Sequence, residues 1–587
     1  MKKKSETMGI WKALKKVNSF VFVNAPFWYL TYIVISVLLT GAAFLNLYFA
    51  EYTTSSAWKL FTGQAAFPQV MSMVLWLSAG LLAFLALRIV GEIVWEKLRL
   101  KTRYHFEKNL LDQTSRVQYD YYESHDNNLD IYNVCTKSFA AFENYIKSTV
   151  LYVTMIPLVA IYAWYLAQIN PVMVLVYLFL SIALSLFSGK IFGQLGDMWQ
   201  EIQPFAQRQK YFFSIGSEKD SHQECQSCRL YPYIAGKWNM AYDEEYKIRI
   251  KIFSRYEISM QTVRLIYNLP YIMMLTFVVY EIVQGRHEIG FLAMANGLLN
   301  NIIDSVELLQ ENIAQNQQDK EFVGKFEKVL GMHRDKGRQD ENAQGCELVL
   351  TDVRYRYPQA SSYALEGITF QVAKGEKIAL VGVNGSGKTT CMMIVLGLLH
   401  GQGNQRLFKN GRPQRELISC ILQDFAQYQM SIRENIQAGC IGKALTDDEV
   451  YGLLHAVGME EFVRRQEKGL DTMLGQLGDG IDLSKGQWQR IAIARLLANP
   501  AAELWILDEP TAYLDPMTEI EIYRLIQELS GDRAVIFISH RLGFVRNADR
   551  IIVFEKGKVA LSGKHAELME QGGIYAEMYE SQKQWYR

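Results

Sequence analysis

From Phe27 to about residue 310 the chain is dominated by long apolar runs, and beyond about residue 335 these give way to short apolar runs between polar turns. A helix needs about 20 mostly apolar residues to cross a membrane, because lipid offers a free backbone amide no partner. Six stretches meet that requirement: 27–49, 70–91, 148–168, 171–192, 263–284 and 289–310. The fifth carries Pro270 and Glu281, and the sixth holds enough polar residues to pass, by itself, for a buried soluble helix. Ahead of the first, Ile10 to Val17 repeats apolar residues at i, i+1, i+4 and i+7 with lysines between. That pattern predicts a short amphipathic helix on the inner membrane surface, or else a solvated tail.

Charge orients the spans. The 92–147 connection holds Lys97, Arg99, Lys101, Arg103, Lys108, Arg116, Lys137 and Lys147, and the 193–262 connection holds Lys210, Lys247, Arg249, Lys251 and Arg255. The links 50–69, 169–170 and 285–288 are nearly free of positive charge. The positive-inside rule therefore puts both termini and both long connections in the cytoplasm. Connections of that length need structure of their own, so they are expected to continue the helices beyond the membrane. Their turning points, expected near Glu123–Asn128 and Cys228–Tyr231, should touch the domain that follows.

Composition narrows the field. A chain of 587 residues implies at least two domains, and a formal net charge of zero gives no pull toward nucleic acid. Seven scattered cysteines form no disulfide framework, which fits a reducing compartment. Cys225 and Cys228 make a C-x-x-C pair, but with no second pair and no βαβ context it reads as coincidence. The N-terminal lysines are not followed by a cleavable signal pattern, since the first apolar run is too long for one.

After the polar linker Lys336–Asn342, strand-like runs at 346–351, 366–373 and 376–381 lead into Gly382-Val383-Asn384-Gly385-Ser386-Gly387-Lys388-Thr389. This is G-x-x-x-x-G-K-T between a strand and a helical run beginning at Thr390, the context of a phosphate-binding loop. Its glycines let backbone N–H groups converge on a phosphate, Lys388 adds charge, and Thr389 offers a hydroxyl to Mg²⁺. About 120 residues on, the apolar run Leu504–Leu507 ends in Asp508-Glu509. A carboxylate at such a strand end suits a metal ligand, Asp508, beside a residue, Glu509, that orients an attacking water. A third run, Ala534–Ile538, ends in Ser539-His540, placing His540 within reach of a γ-phosphate.

Leu483-Ser484-Lys485-Gly486-Gln487 resembles the L-S-G-G-Q signature of ABC transporters, and its spacing before Leu504–Glu509 is also that of the family. With the phosphate loop, Gln423 in Leu422-Gln423-Asp424, the segment Ala512–Asp515 and His540, every motif of an ABC ATPase domain has a counterpart, in the same order. Six spans followed by one such domain resemble an exporter-type half-transporter. The resemblance implies an all-α six-helix transmembrane domain followed by an α/β P-loop ATPase domain, hydrolysing ATP with Mg²⁺. It implies an N-terminal segment at 1–25, a membrane domain at 26–335 and an ATPase domain at 345–587. It assigns Tyr357 to stacking on adenine, with Tyr355 second. Gly382, Asn384, Gly385, Ser386, Gly387, Lys388, Thr389 and Thr390 would hold phosphate. Thr389, Gln423 and Asp508 would hold Mg²⁺, Glu509 would be the catalytic base and His540 the switch histidine. Ser484, Gly486 and Gln487 would serve the γ-phosphate held by a second subunit, identical or not.

Two departures stand out. Lys485 replaces the third residue of the signature, where it would change backbone geometry or add charge near ATP, and Gln476 stands nearest the place of a usual glutamate in Gly475–Gly480. Gln423–Met430 and Asp479–Leu483, with Gly486–Gln489, further resemble ATPase domains of lantibiotic and other bacterial peptide exporters. The implied protein sits in a bacterial plasma membrane in contact with lipid, and exports a peptide or amphipathic cargo. An importer on the same scaffold, or an ATP-gated regulator, are the alternatives. Asn296, Asn300 and Asp304 recur every four residues on the sixth span, with Glu307 slightly offset. They line a path for cationic or amphipathic cargo, bond to a neighbouring helix, or mark the helix end entering water.

Overall fold

The computed structural model describes residues 9–64, 66–168, 170–332, 348–358, 360–407, 417–475, 480–509, 516–539 and 545–585. The linker 336–342, Gln476, Ala512–Asp515 and His540 lie outside the described residues. The chain divides into two compact units, one of residues 1–115 and 129–332, the other of 116–128 and 333–587.

The first unit is helical. Its elements are α1 (Ile10–Asn24), α2 (Pro26–Phe61), α3 (Phe67–Thr114), then α5 (His125–Ala167), α6 (Pro171–Ser217), α7 (Lys219–Ser227), α8 (Tyr231–Val283) and α9 (Gly290–Leu330). The short α4 (Asp120–Glu123) falls in the other unit. The six long helices run 36, 48, 43, 47, 53 and 41 residues. At 1.5 Å per residue a helix of such length reaches roughly 55–80 Å, about twice the hydrocarbon thickness of a bilayer. The long connections are therefore continuations of the helices. By length and composition α2, α3 and 127–167 are long and apolar enough to cross a membrane, and 171–181 and 268–283 are shorter apolar stretches. The sixth helix, α9, falls short because Asn296, Asn300, Asn301 and Asp304 interrupt its apolar run. Large apolar side chains on α2 and α3, among them Leu38, Leu75, Leu82 and Ile89, point outward, as a lipid-facing surface requires.

Below the spans, α1, α3, α5 and α9 are joined by aromatic packing. Phe326 stacks on Phe106 at 4.5 Å and meets Phe142 edge-on at 5.0 Å, while Phe20 of α1 meets Phe142 at 5.7 Å. The predicted amphipathic helix is α1. It buries Ala13, Val17 and Val21 against the unit and turns Trp11, Lys12 and Lys15 outward.

The second unit holds two sheets. β1 (Leu348–Tyr355), β2 (Leu365–Val372) and β4 (Gln402–Leu407) form an antiparallel sheet in the order β2-β1-β4. β3 (Lys377–Gly382), β5 (Ile418–Ile421), β6 (Leu504–Asp508), β7 (Ala534–Ile538), β8 (Arg550–Glu555) and β9 (Lys558–Gly563) form the other, ordered β5-β6-β7-β3-β8-β9 and parallel except for β9. β6 is buried at every residue, as expected for a central parallel strand covered on both faces. The helices are α10 (Lys388–Val395), α11 (Ile432–Gln437), α12 (Asp447–Ala456), α13 (Glu460–Arg464), α14 (Lys485–Leu497), α15 (Pro516–Ser530), α16 (His565–Gln571) and α17 (Ile574–Trp585).

Candidate nucleotide site

The phosphate loop turns off the end of β3 and feeds α10. Two glycines make that turn possible. Gly382 has φ 148°, and a Cβ there would meet the Phe554 carbonyl at 2.3 Å. Gly387 has φ 105°, and a Cβ would meet Leu365 Cδ2 at 2.7 Å and the Ala364 carbonyl at 2.9 Å. Inside the loop, Lys388 Nζ donates to the carbonyls of Gly382 at 2.8 Å and Val383 at 3.1 Å. Burial pushes the Lys388 ammonium below its ordinary pKa, partly opposed by Glu509 and Asp508. Ser386 Oγ is buried without a hydrogen-bond partner among the described residues. A buried hydroxyl so placed fits an anion-binding cradle, where a phosphate oxygen would satisfy it. Asn384, Gly385 and Thr389 lie exposed on the rim. Tyr357 reaches the first turn of α10, its hydroxyl 3.2 Å from Thr390 Oγ1, and packs edge-on against Tyr355 at 5.1 Å.

Strand register brings the acidic pair level with this loop. Ile538 of β7 lies opposite Asp508 of β6 on one side and Leu380 of β3 on the other. Glu509 leaves β6 at φ 47°, a left-handed conformation that costs a residue with a side chain about 1–2 kcal/mol. Its N–H donates to the Ile538 carbonyl at 3.0 Å, which holds the turn. Burial, reinforced by Glu509 and Asp424 and partly relieved by Lys388, raises the Asp508 carboxyl to about 6. A buried carboxylate repelled by two others is one a cation would stabilise. Among the described residues no three His, Cys, Asp or Glu side chains cluster as a self-sufficient metal site. Mg²⁺, which fits this donor set, would share its oxygens with phosphate, held from the protein by Asp508, Thr389 and the exposed Gln423. When bound, it would supply positive charge to the phosphate oxygens.

The raised Asp508 carboxyl has a pH consequence. Because its folded pKa lies above the unfolded value near 4, the folded site favours the proton, and a Mg²⁺ ion held there would have to displace it as pH falls through about 6. Apparent Mg²⁺ affinity in the presence of ATP is expected to drop about tenfold between pH 7 and pH 5, checked by titrating Mg²⁺ at each pH.

The signature opens α14. Ser484 caps it, its hydroxyl accepting from the Gln487 N–H at 3.2 Å while Gln487 Oε1 accepts from the Ser484 N–H at 2.9 Å. Lys485 is the first helical residue and has no positive φ, so a side chain at this position leaves the backbone undistorted. What it adds is charge, exposed beside Gly486 at a helix N-terminus. Trp488 and Ile491, on the buried face of α14, pack in one core with Trp505 and Leu507 of β6.

Two further residues were not foreseen from sequence. Arg495, nearly three turns along α14, is half-buried, lies over the Tyr428 ring at 4.5 Å, and donates to Ala426 O at 3.1 Å and Asn435 Oδ1 at 2.8 Å. It ties the loop that follows Gln423 to the signature helix. A lone arginine in the apolar stretch Ile491–Leu497 was the available signal. The second is Asp120. The turning point expected near Glu123–Asn128 is the junction of α4 and α5, and residues 116–128 cluster with the second unit. Asp120 Oδ2 lies 3.1 Å from His400 Nδ1, and Asp120 Oδ1 accepts from the Tyr355 hydroxyl at 3.5 Å. The other turning point, Cys228–Leu230 between α7 and α8, stays with the helical unit. Asp120→Ala is expected to speed hydrogen exchange across 116–128 about fivefold per lost bond, read by mass spectrometry of the intact protein.

Residues 365–512 match the ABC transporter family. Over 242 residues the chain is 36% identical to the nisin transport ATP-binding protein NisT of Lactococcus lactis subsp. lactis. Over 244 residues it is 38% identical to the subtilin transport ATP-binding protein SpaT of Bacillus subtilis. These alignments take in 40% of this chain and only 40% and 39% of those two proteins. An ATP-dependent lipid A-core flippase of Methylobacillus flagellatus is 29% identical over 430 residues, 72% of this chain and 68% of that protein. In fold, the chain superposes on a bacterial Atm1-family ABC exporter with ATP bound, with a TM-score of 0.77 at 20% identity, covering 94% of this chain and 98% of the other. Residues 365–512 are thus an ABC transporter domain, carried by a chain with the fold of an ABC exporter.

Proposed function

We propose that this chain is one subunit of an ATP-driven exporter that works as a dimer and moves a peptide or amphipathic small molecule. The observation that carries this is the convergence of Lys388, Ser386, Asp508 and Glu509 at the ends of β3 and β6, in a chain whose other unit is built of long apolar helices. ATP phosphates sit on the loop amides, Ser386 and Lys388. Thr389, Asp508 and Gln423 hold Mg²⁺, and Glu509 orients the attacking water with His540 at the γ-phosphate. Tyr357 supports the adenine. Ser484, Gly486 and Gln487 close over the nucleotide of the second subunit, whether a copy or a sister chain.

Closure is passed to the membrane helices through α4, which joins α3 to α5 and holds Asp120 against His400. Both termini face the cytoplasm of a bacterial cell, and the chain crosses the plasma membrane several times. On α9, Asn296 accepts from Tyr271 of α8, Asn300 donates back to the Asn296 carbonyl at 3.0 Å, and Asp304 is exposed. Asn296 thus serves helix pairing, and Asp304 and the lower stripe are left to meet cargo. Nisin and subtilin in the names of two relatives favour a peptide cargo.

Reconstituted vesicles with the ATPase domain outward test the direction. An exporter accumulates a labelled cationic peptide in the lumen on ATP addition. ATP-driven release from preloaded vesicles would instead make the chain an importer.

A further inference from the structure

We propose that the cytoplasmic ends of α2, α3 and α5 form a binding site for the headgroup of an anionic phospholipid. Two lysines there are held on tryptophan faces. Lys97 Nζ lies 4.9 Å from the ring centre of Trp28, and Lys147 Nζ lies 4.9 Å from that of Trp95. Trp28 and Tyr32 are one turn apart on α2, and the Tyr32 ring lies 5.2 Å from the Trp95 ring. The two lysine–tryptophan pairs are therefore one row across three helices.

The depth of this row follows from the sequence. The apolar spans begin at 27 and 148 and end at 91, so Trp28, Trp95, Lys97 and Lys147 all stand where a span meets water. Tryptophan and lysine favour that boundary. α1 is fastened at the same level, since Asn18 accepts from the Tyr29 hydroxyl at 2.6 Å and donates to Thr149 Oγ1 at 2.8 Å. Trp11, farther along α1, is 75% exposed.

Charge decides the ligand. Three neighbouring cations are already paired: Arg99 with Glu96 and Glu143, Arg103 with Glu107, and Lys16 with Glu327. Among the described residues Lys97 and Lys147 form no ion pair. An aromatic face fixes an ammonium in place without cancelling its charge. The row is thus a pair of oriented, uncompensated cations at headgroup depth, with exposed Val34, Leu38, Ile89 and Ile93 continuing toward the bilayer core to receive acyl chains. Glu92, whose charge reaches Tyr32, offsets part of this positive charge and leaves the row of two lysines net positive. A phosphodiester with net negative charge answers this arrangement, and a zwitterionic headgroup does not. The assignment needs only the span ends to mark the membrane boundary, and holds for either direction of transport.

The full-length protein in detergent, titrated with short-chain phosphatidylglycerol, phosphatidylcholine or inorganic phosphate and followed by thermal unfolding, tests this. Phosphatidylglycerol is expected to raise the unfolding temperature where phosphatidylcholine and phosphate do not. Each of Lys97→Gln and Lys147→Gln should weaken phosphatidylglycerol about fivefold, and the pair about 25-fold, while Lys97→Arg with Lys147→Arg keeps the response. ATP hydrolysis without added lipid should be the same in all variants, showing that the glutamine pair folds. Equal responses to the two lipids, or full phosphatidylglycerol affinity in the glutamine pair, would overturn the site. A phosphate response equal to that of phosphatidylglycerol would replace the lipid by a soluble anion.

Discussion

Replacing Glu509 by glutamine will slow ATP hydrolysis about 10²–10⁴-fold while leaving ATP binding intact. The side chain keeps its size and loses only the charge that, in the proposed role, orients and deprotonates water. The left-handed turn at Glu509 and its bond to Ile538 belong to the backbone, so the substitution leaves the geometry in place. Single-turnover hydrolysis with labelled ATP separates the two readouts, and unaltered turnover would remove Glu509 from the catalytic role. A second effect accompanies the first. Glu509 is the principal charge raising Asp508, after burial itself. Its neutralisation should move Asp508 toward its ordinary value and extend Mg²⁺ binding to lower pH. That shift follows from removal of the charge alone and checks the proximity of the two carboxylates, separately from turnover.

Lys388→Met is expected to cost ATP affinity roughly 10–150-fold, the range for losing hydrogen bonds to a charged group. In the described structure the ammonium bridges the Gly382 and Val383 carbonyls, so the loop is already curled around the position a phosphate would take. Methionine fills the same volume and offers no donor. A fluorescent ATP analogue measures the loss. Thermal unfolding without nucleotide, expected to stay within a few degrees, distinguishes it from collapse of the loop. Retained affinity would place phosphate elsewhere.

Much of this was legible in the sequence because the constraints are local. Gly382–Thr389, Asp508-Glu509 and Ser484–Gln487 each declare themselves within a few residues, since tight turns and helix caps admit few residue types. The long helices announced themselves through hydropathy, and their continuation past the membrane through loop length. What escaped is long-range. Asp120 meets His400 across 280 positions, and no short pattern marks either partner. Arg495 finds Ala426 and Asn435 only once α14 has packed. The tryptophan–lysine row is likewise spread over three helices. For Lys485, sequence left open a distorted backbone, and the helical conformation there leaves charge as its remaining contribution.

The placement of 116–128 also bears on how the chain is made. This segment leaves the ribosome some 220 residues before β1, the first strand of the sheet it joins. At about 5–20 residues per second, Asp120 waits roughly 15–55 s for His400, 280 positions on, to exist. Through that interval α3 and α5 can pair while α4 stays undocked. Final docking of α4 is then a late checkpoint of biogenesis, and an ATPase domain synthesised from residue 333 onward would lack the piece that completes it.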